Sequence, residues 1–205
     1  MGVLRSRVNT DRYGKMPGMP ALTPADWERA ALEVIAEGGL AAVSLGGLCT
    51  RLKVTKGSFY WHFESRDDLI ARAIARWEAD NSELRLPDEE DPRELLVHLA
   101  EVAVEFAGKQ SIHARLALET ADPRVAAAMA RVTSARLRLL AGLYRRAGLS
   151  PAAARAQAMV AYAAVLGLQQ LGREDALPAR GRAALVRVFR STLVPPDGDA
   201  AAPRR

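Results

Sequence analysis

Apolar residues recur along most of this chain at intervals of three and four, which is the spacing of one face of an α-helix. Four such stripes stand out: Trp27, Ala31 and Ile35; Leu69, Ala73, Ile74 and Trp77; Leu95, Leu99, Val102 and Phe106; and Leu185, Val188, Phe189 and Leu193. No stretch of alternating β-branched residues is long enough for a sheet. The pattern therefore predicts an all-α chain of about nine helices, given their usual lengths.

Four helix starts are marked by a capping residue followed by proline: Thr23-Pro24, Asp91-Pro92, Asp122-Pro123 and Ser150-Pro151. The capping oxygen accepts a backbone N–H that has no partner in the first turn, and proline at the first helical position has no N–H to leave unpaired. Capping boxes are expected from Asp26, from Glu94 and from Ser65 with Asp68. Glycines predict helix ends at Gly38-Gly39, Gly148 and Gly172.

The most informative segment lies between residues 44 and 69. Ser44 can cap one short helix and Thr55 a second, and Lys53-Val54 lies between them as a tight turn. Two short helices joined by a turn of a few residues are the helix-turn-helix plan, whose second helix can enter the major groove of DNA.

The second helix has two different faces. Val54, Phe59 and Phe63 are spaced to point inward, whereas the outer face combines a cation, a glycine and two aromatic side chains: Lys56, Gly57, Tyr60 and Trp61. Glycine in a helix costs about 1 kcal/mol relative to alanine, so its presence requires a reason such as a close approach to another surface. Residues 59–63 are all large and cannot all face inward, so core packing alone does not explain them. Exposed aromatic side chains beside a cation suit a DNA groove.

The run Thr55-Lys56-Gly57-Ser58-Phe59-Tyr60-Trp61-His62-Phe63, followed by Ser65-Arg66-Asp67-Asp68-Leu69, resembles the recognition helix and following helix start of the TetR family of transcriptional regulators. The resemblance covers roughly residues 23–75, about a quarter of the chain. It implies DNA contacts from Thr55, Lys56, Gly57, Tyr60, Trp61 and His62, with Ser44 and Arg66 on backbone phosphate. Two positions depart from the family pattern: Lys53 replaces the usual glycine of the turn, and Gly46 stands where many members carry a polar DNA contact.

The resemblance also suggests a division of the chain. We expect a basic, disordered arm over residues 1–20, a DNA-binding domain over 21–70, a ligand-binding and dimerisation domain over 71–195, and a disordered tail over 196–205. For the arm two interpretations are open, since it either adds phosphate contacts in the minor groove or has no role.

The net charge of the chain supports DNA binding only weakly. The whole chain carries +5, but residues 21–70 hold seven acids against five cations. The acids lie mainly on the first helix, whereas Arg51, Lys53 and Lys56 follow one another without an acid between them. Local placement of charge, rather than its sum, therefore supports an anionic partner.

The segment from Pro151 to Leu171 is apolar on nearly every side and must be covered on every side. We expect one side to meet the core of its own chain and the other a second subunit; the alternative is a central helix in a monomer. The resemblance implies an inducer pocket in the same body. Large or polar residues proposed to line it are Trp77, His98, Phe106, His113, Met129, Tyr144, Met159 and Tyr162, although for any one of them plain core packing is the favoured interpretation.

The sequence therefore predicts a cytoplasmic regulator, a repressor released from a palindromic operator in double-stranded DNA by a small hydrophobic effector, acting as a homodimer. The single cysteine, Cys49, is compatible with a reducing compartment, and residues 156–171 are too short for a membrane span. No cofactor, metal or catalytic residue is predicted.

Two alternative functions remain open. One is a helical interaction protein that has lost DNA binding, and the other is a metal enzyme built on His98, Glu101 and Glu105.

Overall fold

A computed structural model describes residues 22–82, 91–105, 111–173 and 182–195. The predicted arm 1–20, most of the acidic loop, Phe106 and the tail 196–205 lie outside the described residues. Within the described ranges the fold is all-α, as predicted, with nine α-helices and one 3-10 turn at Leu40–Ala42. The helices are α1 Pro24–Gly38, α2 Leu45–Leu52, α3 Lys56–Tyr60, α4 Arg66–Ser82, α5 Pro92–Glu105, α6 Ile112–Leu116, α7 Pro123–Arg146, α8 Pro151–Arg173 and α9 Arg182–Leu193.

The predicted helix starts are confirmed, because α1, α5, α7 and α8 each begin at the proline that follows a capping residue. At α1 the capping box is complete: the backbone N–H of Thr23 donates to Oδ2 of Asp26 at 2.8 Å. At α4 the Ser65 hydroxyl accepts from the backbone N–H of Asp68 at 3.1 Å. These bonds satisfy N–H groups that the first turn of a helix leaves without partners.

The glycine ends are only partly confirmed. Gly39 (φ 81°) and Gly148 (φ 100°) adopt the left-handed backbone expected just past a helix. Gly172 does not, since α8 continues through it to Arg173. An interior glycine costs about 1 kcal/mol, and the packing of α8 along α7 outweighs that cost.

Two hydrophobic cores hold the chain together. The first joins α1–α4 to α6 and the first half of α7, through residues such as Trp27, Phe59 and Leu116. The second joins α5 to the end of α7, α8 and α9, through Leu95 and Tyr144 among others. The first core therefore extends well past residue 70, so the N-terminal helices share buried surface with the body that follows.

Two predicted stripes were partly wrong. On α5, Leu99 and Val102 are only half-buried, whereas Leu96 and Ala100 are buried beside Leu95. On α9, Val188 is exposed although Leu193 is buried. Periodicity alone does not define how far a buried face is rotated when several neighbouring helices surround it.

The described residues cover the apolar helix α8 on only one of its sides. Ala154, Ala158, Ala161, Tyr162 and Leu168 are buried. The opposite side exposes 63% of Met159 and 53% of Val160, together with Leu166 and Leu171, and Val188 of α9 is also exposed. None of the described helices is long and apolar enough to span a membrane.

Candidate nucleic-acid interface

The turn between α2 and α3 is made by a left-handed lysine. Lys53 has φ 56° and ψ 44°, and it is the single described non-glycine residue with positive φ. The N–H of Val54 donates to the carbonyl oxygen of Cys49 at 3.0 Å, which closes the end of α2. At the other end, the Ser44 hydroxyl accepts from the backbone N–H of Gly47 at 3.1 Å. Both features agree with the predicted helix-turn-helix unit.

The inner face of α3 is anchored by aromatic packing. Phe59 is buried and meets the ring of Trp27 edge-on, with centroids 5.4 Å apart. Its other ring neighbours are Phe63, stacked at 5.4 Å, and Tyr60. Such pairs contribute about 0.5–1.5 kcal/mol beyond their buried area, so they hold the short helix firmly against α1.

The outer face of α3 is open to solvent. Tyr60 is 64% exposed and Trp61 is 87% exposed, and Lys56, Gly57 and Thr55 are exposed beside them. His62 is instead half-buried, with its ring against Phe63. Thr55 precedes α3 as expected, but its hydroxyl forms no capping hydrogen bond and is free for another partner.

Nothing within the described chain requires glycine at position 57. A Cβ built there would meet only the Thr55 hydroxyl at 3.7 Å, an ordinary contact. At Gly47, by contrast, a Cβ would lie 2.9 Å from the Ser44 hydroxyl and disturb the helix cap. No contact with the described residues therefore explains glycine at position 57, and the same holds for Gly46, Gly142 and Gly167.

The basic group predicted around the turn is smaller than its sequence suggests. Arg51 forms ion pairs with Glu33 and with Glu37, whose Oε2 lies 2.6 Å from Nη2, and hydrogen bonding to Glu37 raises the pKa of Arg51. Lys53 and Lys56 are exposed and form no ion pair with any residue that the structure describes. Two uncompensated cations, rather than three, therefore flank the aromatic residues.

Arg66 is exposed, and its guanidinium is bound to the backbone of the N-terminal unit. Its guanidinium donates to the carbonyl oxygens of Val43 and Leu40, each at 2.5 Å. This side chain ties the start of α4 to the segment before α2. The predicted phosphate contact of Arg66 stays a prediction, and its carbonyl contacts give it a structural role as well.

The residues predicted to line a pocket divide into three groups. His98 and Met159 were expected to point inward and are exposed on α5 and α8, because both lie on faces of their helices that no other described helix covers. Tyr144 is buried in the second core, and Met129 packs against the first. Trp77, His113 and Tyr162 are buried and come together: the Trp77 and His113 rings are 5.8 Å apart, and Tyr162 Oη lies 3.3 Å from His113 Nε2.

Sequence reasoning missed the polar residues around His113. Arg136 places Nη1 3.5 Å from His113 Nδ1, and Asn81 and Thr133 contact Arg136 and Tyr162 respectively. A signal existed, because Arg136 falls four residues after the buried Val132, on the apolar stripe of α7. Burial, and then the charge of Arg136, lower the pKa of His113 to about 4, so the ring is neutral at pH 7.

The suggested metal helix has no supporting arrangement. His98, Glu101 and Glu105 all lie exposed on α5. In the parts of the chain that the structure covers, no group of three or more His, Cys, Asp or Glu side chains is placed to hold a metal ion.

Comparison with known proteins agrees with this geometry. Residues 29–73, which span most of α1 to the middle of α4, match the family model described as "Bacterial regulatory proteins, tetR family". The HTH-type transcriptional regulator AcrR of Shigella flexneri is 33% identical over 82 residues, covering 36% of this chain and 38% of AcrR. The chain thus matches well under half the length of that relative.

Solved structures share the fold over most of the chain. A TetR transcriptional regulator from Legionella pneumophila superposes with a TM-score of 0.67 at 14% identity, over 82% of this chain and 95% of that one. The regulator FadR from Bacillus subtilis, solved in complex with stearoyl-CoA, gives a TM-score of 0.54 at 18% identity, over 82% of this chain and 96% of that one. Residues 29–73 therefore match the TetR family in sequence, and the chain shares its fold with solved TetR regulators over most of its length.

Proposed function

We propose that this chain is a DNA-binding transcriptional regulator that reads double-stranded operator DNA through α3. The observation that carries the proposal is the outer face of α3, where Tyr60 and Trp61 are exposed beside the unpaired cation of Lys56. Water-exposed aromatic side chains of this size are unfavourable unless a partner covers them. A DNA groove covers them with sugars, bases and thymine methyl groups, and its phosphates accept from the lysine.

The proposed roles follow from position on the unit. Thr55, Lys56, Tyr60, Trp61 and His62 contact the major groove, and Gly57 lets the backbone approach it. Ser44 and Arg66 contact phosphate at the edges, in addition to the capping and carbonyl contacts that they make within the chain. Gly46 is exposed with open space around it and offers no side chain to DNA, so base readout falls mainly on α3.

The uncovered side of α8 supports a homodimer. Met159 and Val160 of α8 and Val188 of α9 are exposed apolar side chains, which a second copy of the chain would bury. Two recognition helices related by a two-fold axis would read a palindromic operator with half-sites roughly 34–36 Å apart.

Control by a small molecule completes the proposal. A group of polar residues, buried at His113 and Tyr162 and half-buried elsewhere, lies beside the end of α4, the helix that follows the helix-turn-helix unit. A structural relative, FadR of Bacillus subtilis, was solved with stearoyl-CoA. We propose that an effector with an apolar body binds this region and releases the operator, so that the protein acts as a cytoplasmic repressor without enzymatic activity. Release requires the effector to prefer one separation of the two α3 helices.

The test is binding to the DNA upstream of the protein's own gene, followed by footprinting. Tyr60→Ala and Lys56→Ala should each weaken binding at least about tenfold, with circular dichroism and dimer mass unchanged. Leu118→Ala and Arg138→Ala, at exposed positions of the body, serve as matched controls and should bind like the parent. Affinity should fall steeply with salt as counterions are released. Parent-like affinity in both α3 variants would overturn the assignment of α3 as the reading helix.

A further inference from the structure

Five polar side chains from four helices meet between the two cores. This group, called here the His113 cluster, consists of Asn81 of α4, His113 of α6, Thr133 and Arg136 of α7, and Tyr162 of α8. The Trp77 ring of the first core packs against His113 at 5.8 Å. His113 and Tyr162 are buried, whereas Asn81, Thr133 and Arg136 are half-buried, and polar groups withdrawn from water cost free energy unless their hydrogen bonds are satisfied.

The half-buried guanidinium of Arg136 has only neutral partners within the described structure. Nη2 donates to Oδ1 of Asn81 at 2.8 Å, and Nη1 lies 3.5 Å from Nδ1 of His113. Two other arginines of the same helix are paired with acids, Arg124 with Asp122 and Arg131 with Glu78. A guanidinium withdrawn from water without a carboxylate is expensive, and five N–H groups that share two acceptors have capacity left.

The chemistry of Arg136 determines which groups of the cluster donate hydrogen bonds and which accept them. Arg136 can only donate, so Nδ1 of His113 must accept and the proton of the neutral ring resides on Nε2. Nε2 then faces Tyr162 Oη at 3.3 Å, and Oη faces Oγ1 of Thr133 at 3.5 Å. These distances are at the long end of the hydrogen-bond range, so the contacts are weak and exchangeable for stronger ones.

We propose that the His113 cluster is the effector subsite for a carboxylate group, with Arg136 as its ion-pairing anchor and the Tyr162 and Asn81 side chains beside it. This inference rests on the proposed function, since it specifies the chemistry of the effector that the regulator senses. A carboxylate accepts two parallel N–H bonds from one guanidinium, which matches the single cation available here. A phosphate monoester carries up to two negative charges, and Arg136 would neutralise only one of them.

Occupation of the subsite would reach the DNA-reading unit through α4. Asn81 lies in the last turn of α4 and also donates to the carbonyl oxygen of Trp77 at 2.8 Å. A carboxylate that takes the Nη2 hydrogen bond of Arg136 competes with Asn81 for it. His113 is also three residues from Leu116, which is buried in the first core with Trp27. Both connections join the subsite to the helices that hold α3.

The experiment uses three carboxylates, each with a neutral partner of similar shape: acetate with acetamide, benzoate with benzyl alcohol, and decanoate with decanol. Binding to the full chain is measured by calorimetry at pH 7.5 for the parent, Arg136→Gln and the control Arg138→Gln, an exposed arginine on the same helix. At least one carboxylate should bind the parent and Arg138→Gln about tenfold tighter than Arg136→Gln. Its neutral partner should not distinguish them. Inorganic phosphate is included and should bind more weakly than the best carboxylate.

A second measurement does not depend on the fold of the variant. The His113 ring is followed by NMR in the parent protein, where the carboxylate should raise the pKa of His113 by offsetting the charge of Arg136. The proposal is overturned if all three carboxylates bind no better than their neutral partners, if Arg136→Gln binds them as tightly as the parent does, or if phosphate is preferred. DNA binding without effector is measured on the same samples. If the parent protein does not bind DNA, the proposed regulatory function is refuted. If it binds DNA but binds no carboxylate, only the proposed effector subsite is refuted.

Discussion

The guanidinium Nε of Arg66 donates to the carbonyl oxygen of Val43 at 2.5 Å, across 23 positions of sequence. The same side chain reaches the carbonyl of Leu40, so one arginine at the start of α4 closes the irregular segment between α1 and α2. That segment leads straight into Ser44 and the helix-turn-helix unit. Arg66 therefore positions the DNA-reading helices whether or not it also touches phosphate.

We expect Arg66→Ala to lower the free energy of unfolding by about 1–3 kcal/mol, since hydrogen bonds from a charged donor are worth roughly that much. Urea titration followed by circular dichroism measures the change. Arg29→Ala is the control, because Arg29 makes only an exposed ion pair with Asp26 and should cost well under about 1 kcal/mol. If the two variants are equally stable, the carbonyl contacts of Arg66 do not stabilise the fold, and only its predicted contact with DNA phosphate remains.

Gly57→Ala should separate folding from DNA binding. The new methyl group meets only Thr55 at 3.7 Å, so the free protein should gain up to about 1 kcal/mol from improved helix propensity. The same methyl group would hold the α3 backbone away from DNA and weaken operator binding about tenfold or more. Gly142→Ala, at an open position of α7, should add stability without changing affinity. Undiminished operator affinity in Gly57→Ala would argue against a close approach at this position.

Lys53 combines backbone strain with a free charge. Its left-handed backbone costs a non-glycine residue roughly 1–2 kcal/mol, part of which Lys53→Gly recovers against the greater entropy of the unfolded chain. We expect Lys53→Gly to be up to about 1 kcal/mol more stable, whereas Lys53→Ala keeps the strain and gains nothing.

Both Lys53 variants should bind DNA more weakly, with the logarithmic salt slope reduced by about 1 if the lysine neutralises one phosphate. Anisotropy titrations at several salt concentrations measure this slope. An unchanged slope in both variants would show that the strained lysine is retained for a reason other than DNA.

Much of the fold could be predicted from the sequence because the relevant patterns involve residues that are close together along the chain. Proline after a capping residue predicted four helix starts, and the aromatic run of α3 predicted which side chains are buried and which are exposed. Each of these depends on neighbours within a few residues. The left-handed backbone of Lys53 falls at the position of the turn where the resemblance places a glycine.

The predictions that were wrong or incomplete concern contacts between distant parts of the chain. Met159 and His98 looked like pocket residues, but whether a helix face is covered depends on which helices pack there, and periodicity does not specify that. Arg51 seemed available to DNA until the fold brought Glu37 of α1 beside it. Arg136 was overlooked because arginine is normally exposed, although its place on the α7 stripe indicated burial.

The buried imidazole of His113 makes stability depend on pH with a definite sign. Burial, followed by the charge of Arg136, lowers the pKa of His113 to about 4 in the folded protein, against an ordinary value of 6.5. Between those two values the unfolded chain binds more protons than the folded one, so stability rises with pH in that window. The stabilising contribution of the neutral ring is complete above pH 6.5 and is lost as pH falls toward 4.

Replacing the ring isolates this effect from the carboxylates that also titrate in acid. His113→Asn should be less stable than the parent at pH 7 because it forfeits packing against Trp77. Its stability should nevertheless fall less between pH 6.5 and 4, by up to roughly 3 kcal/mol, which is the linkage expected for a shift of this size. Urea titrations of both proteins at half-unit intervals of pH give the difference curve. A flat difference would mean that the His113 ring is protonated as easily in the folded protein as in the unfolded chain, and that neither burial nor Arg136 lowers its pKa.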